Sequence, residues 1–316
     1  MDERDRLAEQ FERHRPHLKA VSYRMLGSHA EADDAVQDAW LRFSRSGGEG
    51  VENLGGWLTT IVARVCLNKL RSRNVRREQP MGVHLPDPVI SRADGPGPED
   101  EALLADAVGL ALQVVLDTLT PAERLAFVLH DMFDLPFDDI APMLGRTPVA
   151  ARQLASRARR RVRGADVPAP DADLAAQREV VDAFFAAARA GDLDGLVAVL
   201  DPDVVLRSDG GARRPEVSEV LRGAAAVASR AVLFSRPDAL VRPALVNGAA
   251  GVVVTADGRP VSVMAFTVTN GRIVEIHSLF DPERLGRLDL AGLGLAAVRR
   301  GPGGPGRSAS RRPGHP

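Results

Sequence analysis

Between Pro80 and Pro98 the chain carries five prolines (Pro80, Pro86, Pro88, Pro96 and Pro98) and three glycines (Gly82, Gly95 and Gly97). Proline has no amide to donate and its ring clashes with the preceding turn, so neither a helix nor a central strand can run through this stretch. The fold must be assembled from separate pieces on either side, and residues 81–100 read as a linker. A second break follows at residues 164–173, which contain Pro168 and Pro170. The tail, residues 301–316 (GPGGPGRSASRRPGHP), lacks core-forming side chains and is expected to be disordered. A chain of 316 residues at ~150 per domain suggests two domains or three, and the breaks favour three.

Residues 5–80 read as a helical domain. One helix ends at Leu26-Gly27, and Ser28-His29-Ala30-Glu31 has the form of a capping box, with the serine hydroxyl and the Glu31 side chain satisfying each other's backbone amides. Behind it Ala35, Val36, Ala39, Trp40 and Phe43 recur at helical spacing, with Asp33, Asp34 and Asp38 off that stripe. After a loop at 46–50, a further helix carries Leu58, Ile61, Val62, Val65 and Cys66 on one side. Arg64, Asn68 and Arg71 stand at i, i+4 and i+7 on another.

Residues 101–163 open on a helix from about Glu99 to Leu119, with Leu104, Val108, Leu112, Val115 and Leu119 as its stripe. Thr120-Pro121-Ala122-Glu123 and Thr147-Pro148 are both start signals, threonine as cap and proline as first helical residue. Between them lies a short helix, Phe137 to Leu144, stopped by Gly145. Helix, short helix, turn and helix make the outline of a helix-turn-helix. Pro142 would cost ~3 kcal/mol in a regular helix interior, so a short or irregular helix is expected there.

Residues 174–290 change character. Leu174 to Ala190 is an amphipathic helix stopped by Gly191, and a short helix follows from Leu193 to Leu200. Strands then predominate: Gly251–Thr255, the turn Asp257-Gly258, Val261–Thr269, the turn Asn270-Gly271 and Ile273–Phe280 read as a three-stranded meander. The expected domain is α+β, helices first and an antiparallel sheet last.

The net charge of −1 conceals its distribution. Arg64 to Arg77 holds six basic residues and no acid, and Arg146 to Arg163 holds seven and no acid. Two cationic blocks in a neutral chain point to nucleic acid. In the second block Ala151, Leu154, Ala155, Ala158 and Val162 face the preceding helices, leaving Arg152, Gln153, Ser156, Arg157 and Arg160 outward. Arginine and glutamine in the first half of such a helix can reach guanine and adenine edges in the major groove, whereas Arg159, Arg161 and Arg163 suit phosphates. The single cysteine, Cys66, can build neither a disulfide nor a thiolate metal site, so no metal or cofactor is expected. No apolar run approaches the ~18 residues of a membrane helix, and the acidic start MDERDRLAEQ is unlike a secretory signal. A cytoplasmic protein without membrane association is expected.

The stretches AEADDAVQDAWLRF, GWLTTIVARVCLNKLRSRNVRRE and LTPAERLAFVLHDMFDLPFDDIAPMLGRTPVAARQLASRARRRV resemble the second and fourth conserved regions of extracytoplasmic-function sigma factors of the sigma-70 family, over roughly residues 5–163. The resemblance implies partners: core RNA polymerase, through its beta and beta-prime subunits, and promoter DNA. It assigns Asp33, Asp34, Asp38 and Trp40 to polymerase docking. Arg64, Asn68, Lys69, Arg71, Arg73, Arg76 and Arg77 would lie at the minus-10 element; Thr147, Arg152, Gln153, Ser156, Arg157 and Arg160 would lie at the minus-35 element. Residues 174–285 are similar to SnoaL-like polyketide cyclase domains, a nuclear-transport-factor-like cone. Sigma factors with this fusion carry three motifs that appear here, with departures, as Leu85-Pro86-Asp87-Pro88, Asp209-Gly210-Gly211-Ala212 and Asp281-Pro282-Glu283-Arg284-Leu285. Of these, Leu85, Pro86, Asp87, Pro88, Asp209, Gly210, Gly211, Asp281, Pro282 and Leu285 are the expected regulatory residues. The resemblance further implies no separate anti-sigma factor, with the fused domain contacting and regulating the sigma domains in the same chain.

Two other readings remain open at this stage: a regulator that binds operators without polymerase, and a SnoaL-type enzyme with a DNA-binding anchor. Cyclases of this fold use a pocket acid or base, and Asp209, Asp257, Glu275 and His277 are the candidates. A non-enzymatic, regulatory use is the expectation.

Overall fold

The computed structural model describes residues 3–46, 53–76, 83–93, 110–165, 168–288, 290 and 293. The expected loop at 47–50, the first half of the Glu99–Leu119 helix with Leu104 and Val108, Arg77 and the tail 301–316 lie outside the described residues, as do 81–82 and 94–100 of the linker.

Three helices make the first unit: α1 (Glu3–Leu26), α2 (His29–Ser46) and α3 (Leu54–Arg76). The periodic residues of α2 and α3 are its core, with Ala35, Val36, Ala39, Phe43, Leu58, Val62 and Cys66 all buried. Trp40 is half-buried, its ring 5.2 Å from that of Phe11. The capping box expected at Ser28 is replaced. Glu31 turns to Arg73 of α3, and the His29 amide donates instead to the Asp87 carboxylate of the linker at 3.1 Å.

The second unit follows as α4 (Leu110–Leu116), α5 (Pro121–Phe127), a single π-helical turn (Val128–Met132), α6 (Phe137–Leu144) and α7 (Pro148–Gly164). The Thr120–Glu123 capping box forms as expected, and the Thr147 hydroxyl caps α7. Around Pro142 the helix is short, eight residues; the irregular backbone falls upstream instead, in the π turn and at Asp134 (φ 55°). α4 buries Leu110, Gln113 and Leu116 rather than Leu112 and Val115. The reason is polar: Gln113 Nε2 donates to the Arg24 carbonyl (3.2 Å) at the end of α1, which turns that face of α4 inward.

The two helical units do not stand apart. One continuous apolar core contains Val21, Met25 and Val62 together with Leu116, Leu125, Leu129 and Ile140. Arg24 lies over the Phe133 ring, and buried Arg124 donates to the Arg24 carbonyl (2.9 Å) and pairs with Asp117.

The third unit begins with α8 (Leu174–Ala190) and α9 (Leu193–Val199). Its sheet is seven-stranded, in the order β1-β4-β5-β6-β7-β2-β3. The strands are β1 (Ile90–Arg92), β2 (Leu200–Asp209), β3 (Glu219–Arg222), β4 (Leu240–Val246), β5 (Ala249–Ala256), β6 (Arg259–Thr269) and β7 (Arg272–Leu279); α10 (Ala224–Phe234) packs on one face and α11 (Pro282–Leu285) follows β7. The meander β5–β6–β7 is as expected, with Asp257-Gly258 and Asn270-Gly271 both at positive φ, as type I′ hairpin turns require. The expected antiparallel sheet is corrected in two respects. β2 runs parallel to β7, and the edge strand β1 comes from the proline-rich linker, Ile90–Arg92 pairing with Val246–Ala244. An edge position is where a proline-flanked strand is tolerated.

One face of the sheet packs α8–α10 through Val181, Phe184, Leu206, Phe266 and Ile276. The other face packs Leu110 of α4 with Leu285, Leu288 and Leu290 against Val246, Val253 and Leu279. No helix among the described residues is long and apolar enough to cross a membrane.

Candidate nucleic-acid interface and linker latch

α7 presents a bare polar face. Ala151, Ala155 and Ala158 are buried while Arg152, Gln153, Ser156, Arg157 and Arg160 are exposed, because alanine lets the helix lie close on α5 and α6. Thr147 is spent on capping the helix. The Arg152 guanidinium lies 5.4 Å from the centre of the Phe137 ring, which holds it without neutralising it. Arg157 and Arg161 bracket the Glu123 carboxylate at 3.1 and 2.7 Å, and Arg159 pairs with Asp131. Burial alone would raise the Glu123 pKa; bonds from Thr120 and the two arginines outweigh it and hold the carboxyl below its usual range. Val149, 61% exposed in the first turn of α7, is an apolar member of this face that the charge pattern did not reveal.

On α3, Arg64, Asn68 and Arg71 are exposed on one side. Lys69 and Arg73 differ. Lys69 reaches Asp34 (3.4 Å), and Arg73 pairs with Glu31 and donates to the Leu26 carbonyl (3.0 Å). The Arg76 side chain and Arg77 lie outside the described residues. Arg64 Nη2 reaches the Pro142 carbonyl of α6 at 3.5 Å, so the basic face of α3 abuts the helix-turn-helix unit. Asp33, Asp34 and Asp38 stand exposed along α2; Lys19 meets Asp33 at 2.9 Å. Such exposed pairs are worth ~0–1 kcal/mol and do not lock the acids in place.

The three motif segments, far apart in sequence, meet at one point. Linker residues Leu85, Pro86, Asp87, Pro88 and Val89 are all buried. The Leu85 amide donates to Asp209 Oδ2 (2.8 Å). Arg284, at the end of α11, ties the rest: Nη1 to Asp209 (2.7 Å), Nε to Asp87 (2.7 Å) and Nη2 to the Leu85 carbonyl (2.5 Å). Asp87 extends the connection into the first helical unit, its Oδ2 accepting from the His29 amide, its own amide donating to the Gly27 carbonyl (2.8 Å) and its carbonyl accepting from the Tyr23 hydroxyl (2.5 Å). Burial would raise the Asp87 pKa, but the Arg284 guanidinium beside it overcomes this and holds the carboxyl below its usual range. On the far side, Val89 and Asn247 exchange two bonds, 3.1 and 2.8 Å.

Asp209-Gly210-Gly211 and Asp281 are the supports of this latch. Asp209 Oδ1 accepts from the Gly211 amide, and Asp281 caps α11 at the amides of Glu283 and Arg284, setting the direction of Arg284. A Cβ on Gly211 would overlap the Asp281 carboxylate, and one on Gly210 the Arg214 carbonyl, so only glycine permits the approach. Leu285 is buried under the sheet. Selecting Asp281, Pro282 and Leu285 from their motif passed over Arg284, the side chain that makes the contacts. A lone base in an otherwise capping segment was the only signal.

The helix-covered face of the sheet encloses a cavity of about 320 Å³. Asp209, Asp257, Glu275 and His277 are not among its lining residues; Leu206, Ser208, Ile276 and Ser278, which alternate with them, are. Glu275 pairs with Arg207 (3.0 Å), and His277 is buried, its pKa pushed down to about 3 by burial and by the Arg207 charge. The candidate acids and bases thus lie off this cavity.

Residues 10–76 match the family model for sigma-70 region 2, and residues 109–162 the model for sigma-70 region 4. The ECF RNA polymerase sigma factor SigJ of Mycobacterium tuberculosis is 37% identical over 291 residues, spanning 87% of this chain and 92% of the relative. The probable ECF RNA polymerase sigma factor SigI of the same species is 35% identical over 289 residues, 90% of this chain and 97% of the relative. The crystal structure of SigJ superposes with a TM-score of 0.70 at 35% identity, covering 90% of this chain and 99% of that one.

Proposed function

Because this chain belongs to the extracytoplasmic-function (ECF) sigma factors of the sigma-70 family, we propose that it binds core RNA polymerase and directs it to promoters, and that its C-terminal domain holds it closed until polymerase engages. In this reading Asp33, Asp34, Asp38 and Trp40 dock on polymerase. Arg64, Asn68 and Arg71 read the minus-10 element, with Lys69, Arg73, Arg76 and Arg77 beside them. Arg152, Gln153, Ser156, Arg157 and Arg160 meet the minus-35 element. The C-terminal domain takes the place of a separate anti-sigma factor, and the protein works in the cytoplasm with polymerase.

The observation that carries the closed state is the contact between the two DNA-reading units. The promoter elements are about 25 base pairs apart, about 85 Å of straight duplex at ~3.4 Å per pair. Here Arg64 of α3 touches α6, the helix before the reading helix α7. Both faces cannot lie on their elements in this arrangement, so promoter reading needs the units to separate. The latch opposes separation by fixing the linker to both ends of the chain. Polymerase that binds only the separated form would shift the population toward it.

Run-off transcription with purified core polymerase tests the first half. A promoter-specific transcript that depends on this chain is expected. Operator binding without any transcript would replace the reading with that of a conventional regulator. An enzymatic use of the C-terminal domain is not favoured, since its candidate acids and bases lie off the cavity.

A further inference from the structure

The latch uses the end of β2 and the short helix α11, and none of its bonds is made by the cavity beneath the helices. At about 320 Å³ it falls at the lower end of the ~300–1,000 Å³ range of small-molecule sites. Phe184, Phe185, Val254, Met264 and Ile276 make its apolar walls. Three serines stand together on its sheet wall. Ser208 and Ser278 are neighbours across the parallel β2–β7 pair, and Ser262 lies two residues before Met264, the partner of Ser278 on β6. All three serines are buried, and the Ser262 hydroxyl has no hydrogen-bond partner among the described residues. Buried hydroxyls are seldom left so.

The charge at the cavity is one-sided. Arg189, Arg214, Arg230 and Arg236 line it against one acid, Glu219. Arg230 pairs with Glu219 and Arg236 with Asp238. Arg189 and Arg214 pair with no acid among the described residues, and the Arg214 amide donates to the Gly210 carbonyl (3.2 Å), which sets its backbone beside the turn that Ser208 leads into.

We propose that this cavity binds an amphipathic monocarboxylate, its apolar body against the phenylalanines and its carboxylate at Arg214 and the serine hydroxyls. A neutral apolar ligand would leave the hydroxyls and the guanidinium unmatched. The site also adjoins the latch: Ser208 precedes Asp209, Phe280 lines the cavity and precedes Asp281, and the Phe280 amide donates to the Asp209 carbonyl (2.7 Å). On the cis-control reading above, occupancy would therefore act on the latch; the binding itself does not depend on that reading.

The test uses the full chain, 8-anilinonaphthalene-1-sulfonate as fluorescent probe, and dodecanoate or dodecan-1-ol as competitors below their aggregation limits. Dodecanoate should displace the probe at roughly tenfold lower concentration than the alcohol, as a charge-assisted bond at Arg214 implies. Arg214→Ala, an exposed change, should abolish that difference. Ala231→Trp, which fills the cavity, should remove probe binding. Equal displacement by acid and alcohol, or an unchanged preference in Arg214→Ala, would overturn the carboxylate assignment; full probe binding by folded Ala231→Trp would overturn the location. If Arg284→Ala left transcription unaltered, control in cis would fail while these binding results stood.

Discussion

Arg284→Ala should open the protein. The arginine side chain is 14% exposed, and the two carboxylates it bridges, on Asp87 and Asp209, are 12% and 2% exposed. Removing one partner from a buried pair costs about 3–5 kcal/mol, because the remaining charge stays buried without compensation. Here two carboxylates are left facing each other, and the Leu85 carbonyl loses its donor as well. At 1.4 kcal/mol per tenfold, the latched population should fall relative to the unlatched by a factor of roughly 10² to 4 × 10³. The latch closes between units that each have an apolar core of their own, so the loss should appear as local opening. Hydrogen exchange reads this directly: the Leu85 and Val89 amides, held by Asp209 and Asn247, should lose protection while the β5–β6 amides keep theirs. Run-off transcription at limiting core polymerase should rise. Unchanged protection at Leu85 and Val89 in a folded Arg284→Ala protein would refute the reasoning, whatever transcription did.

Other outcomes follow from the same geometry. Reversing Asp34 and Asp38 to lysine should weaken binding to core polymerase by roughly tenfold or more with no loss of stability, since both are exposed; unchanged binding in a pull-down would reject the docking face. Arg152→Ala should cost ~1–3 kcal/mol at particular minus-35 sequences, whereas Arg161→Ala should weaken all sequences alike and reduce the salt dependence; the same pattern for both across a promoter library would show that bases and phosphates were wrongly sorted. His277, depressed to about 3 when folded against 6.5 as its ordinary value, stabilises fully above about pH 6.5. That contribution should fall by about 1.4 kcal/mol per unit as the pH drops toward 3. Exchange of the β7 amides, corrected for intrinsic rates, should show this slope lessened by about one proton in His277→Leu, and an unaltered slope would exclude His277 as its source.

What the sequence made legible was local. The Thr120 and Thr147 caps, Gly145 and Gly191 as helix stops, and the Asp-Gly and Asn-Gly turns act through bonds within three or four residues, and each marks a boundary seen in the structure. The elements that went unread lack such marks. α10 starts at Gly223 with no side-chain cap. β4 contains Pro243, tolerated because β1 covers only Ala244–Val246 and leaves an open edge beyond. β2 carries Pro202 between two aspartates near its start, with a break in register there. The basic residues of α3 and α7 were visible as blocks, but which of them are tied to acids, as Lys69, Arg73 and Arg157 are, depends on neighbours up to 42 positions away.

The linker shows why locality runs out. Its prolines forbid helix and central strand, and by themselves they describe a flexible tether. Yet prolines also lower the entropy of the unlatched segment, since each fixes φ and reduces what ordering must remove. The bonds that then order it come from Asp209, Asn247 and Arg284, 124 to 199 residues away. A segment with few amides of its own leaves carbonyls to be met by outside donors, and an arginine with a planar fork can meet a carbonyl and two carboxylates at once. The same composition that separates the two helical units thus suits the stretch to be gripped by the third, and a grip made of a few buried charges can be released by any partner that offers those units better contacts.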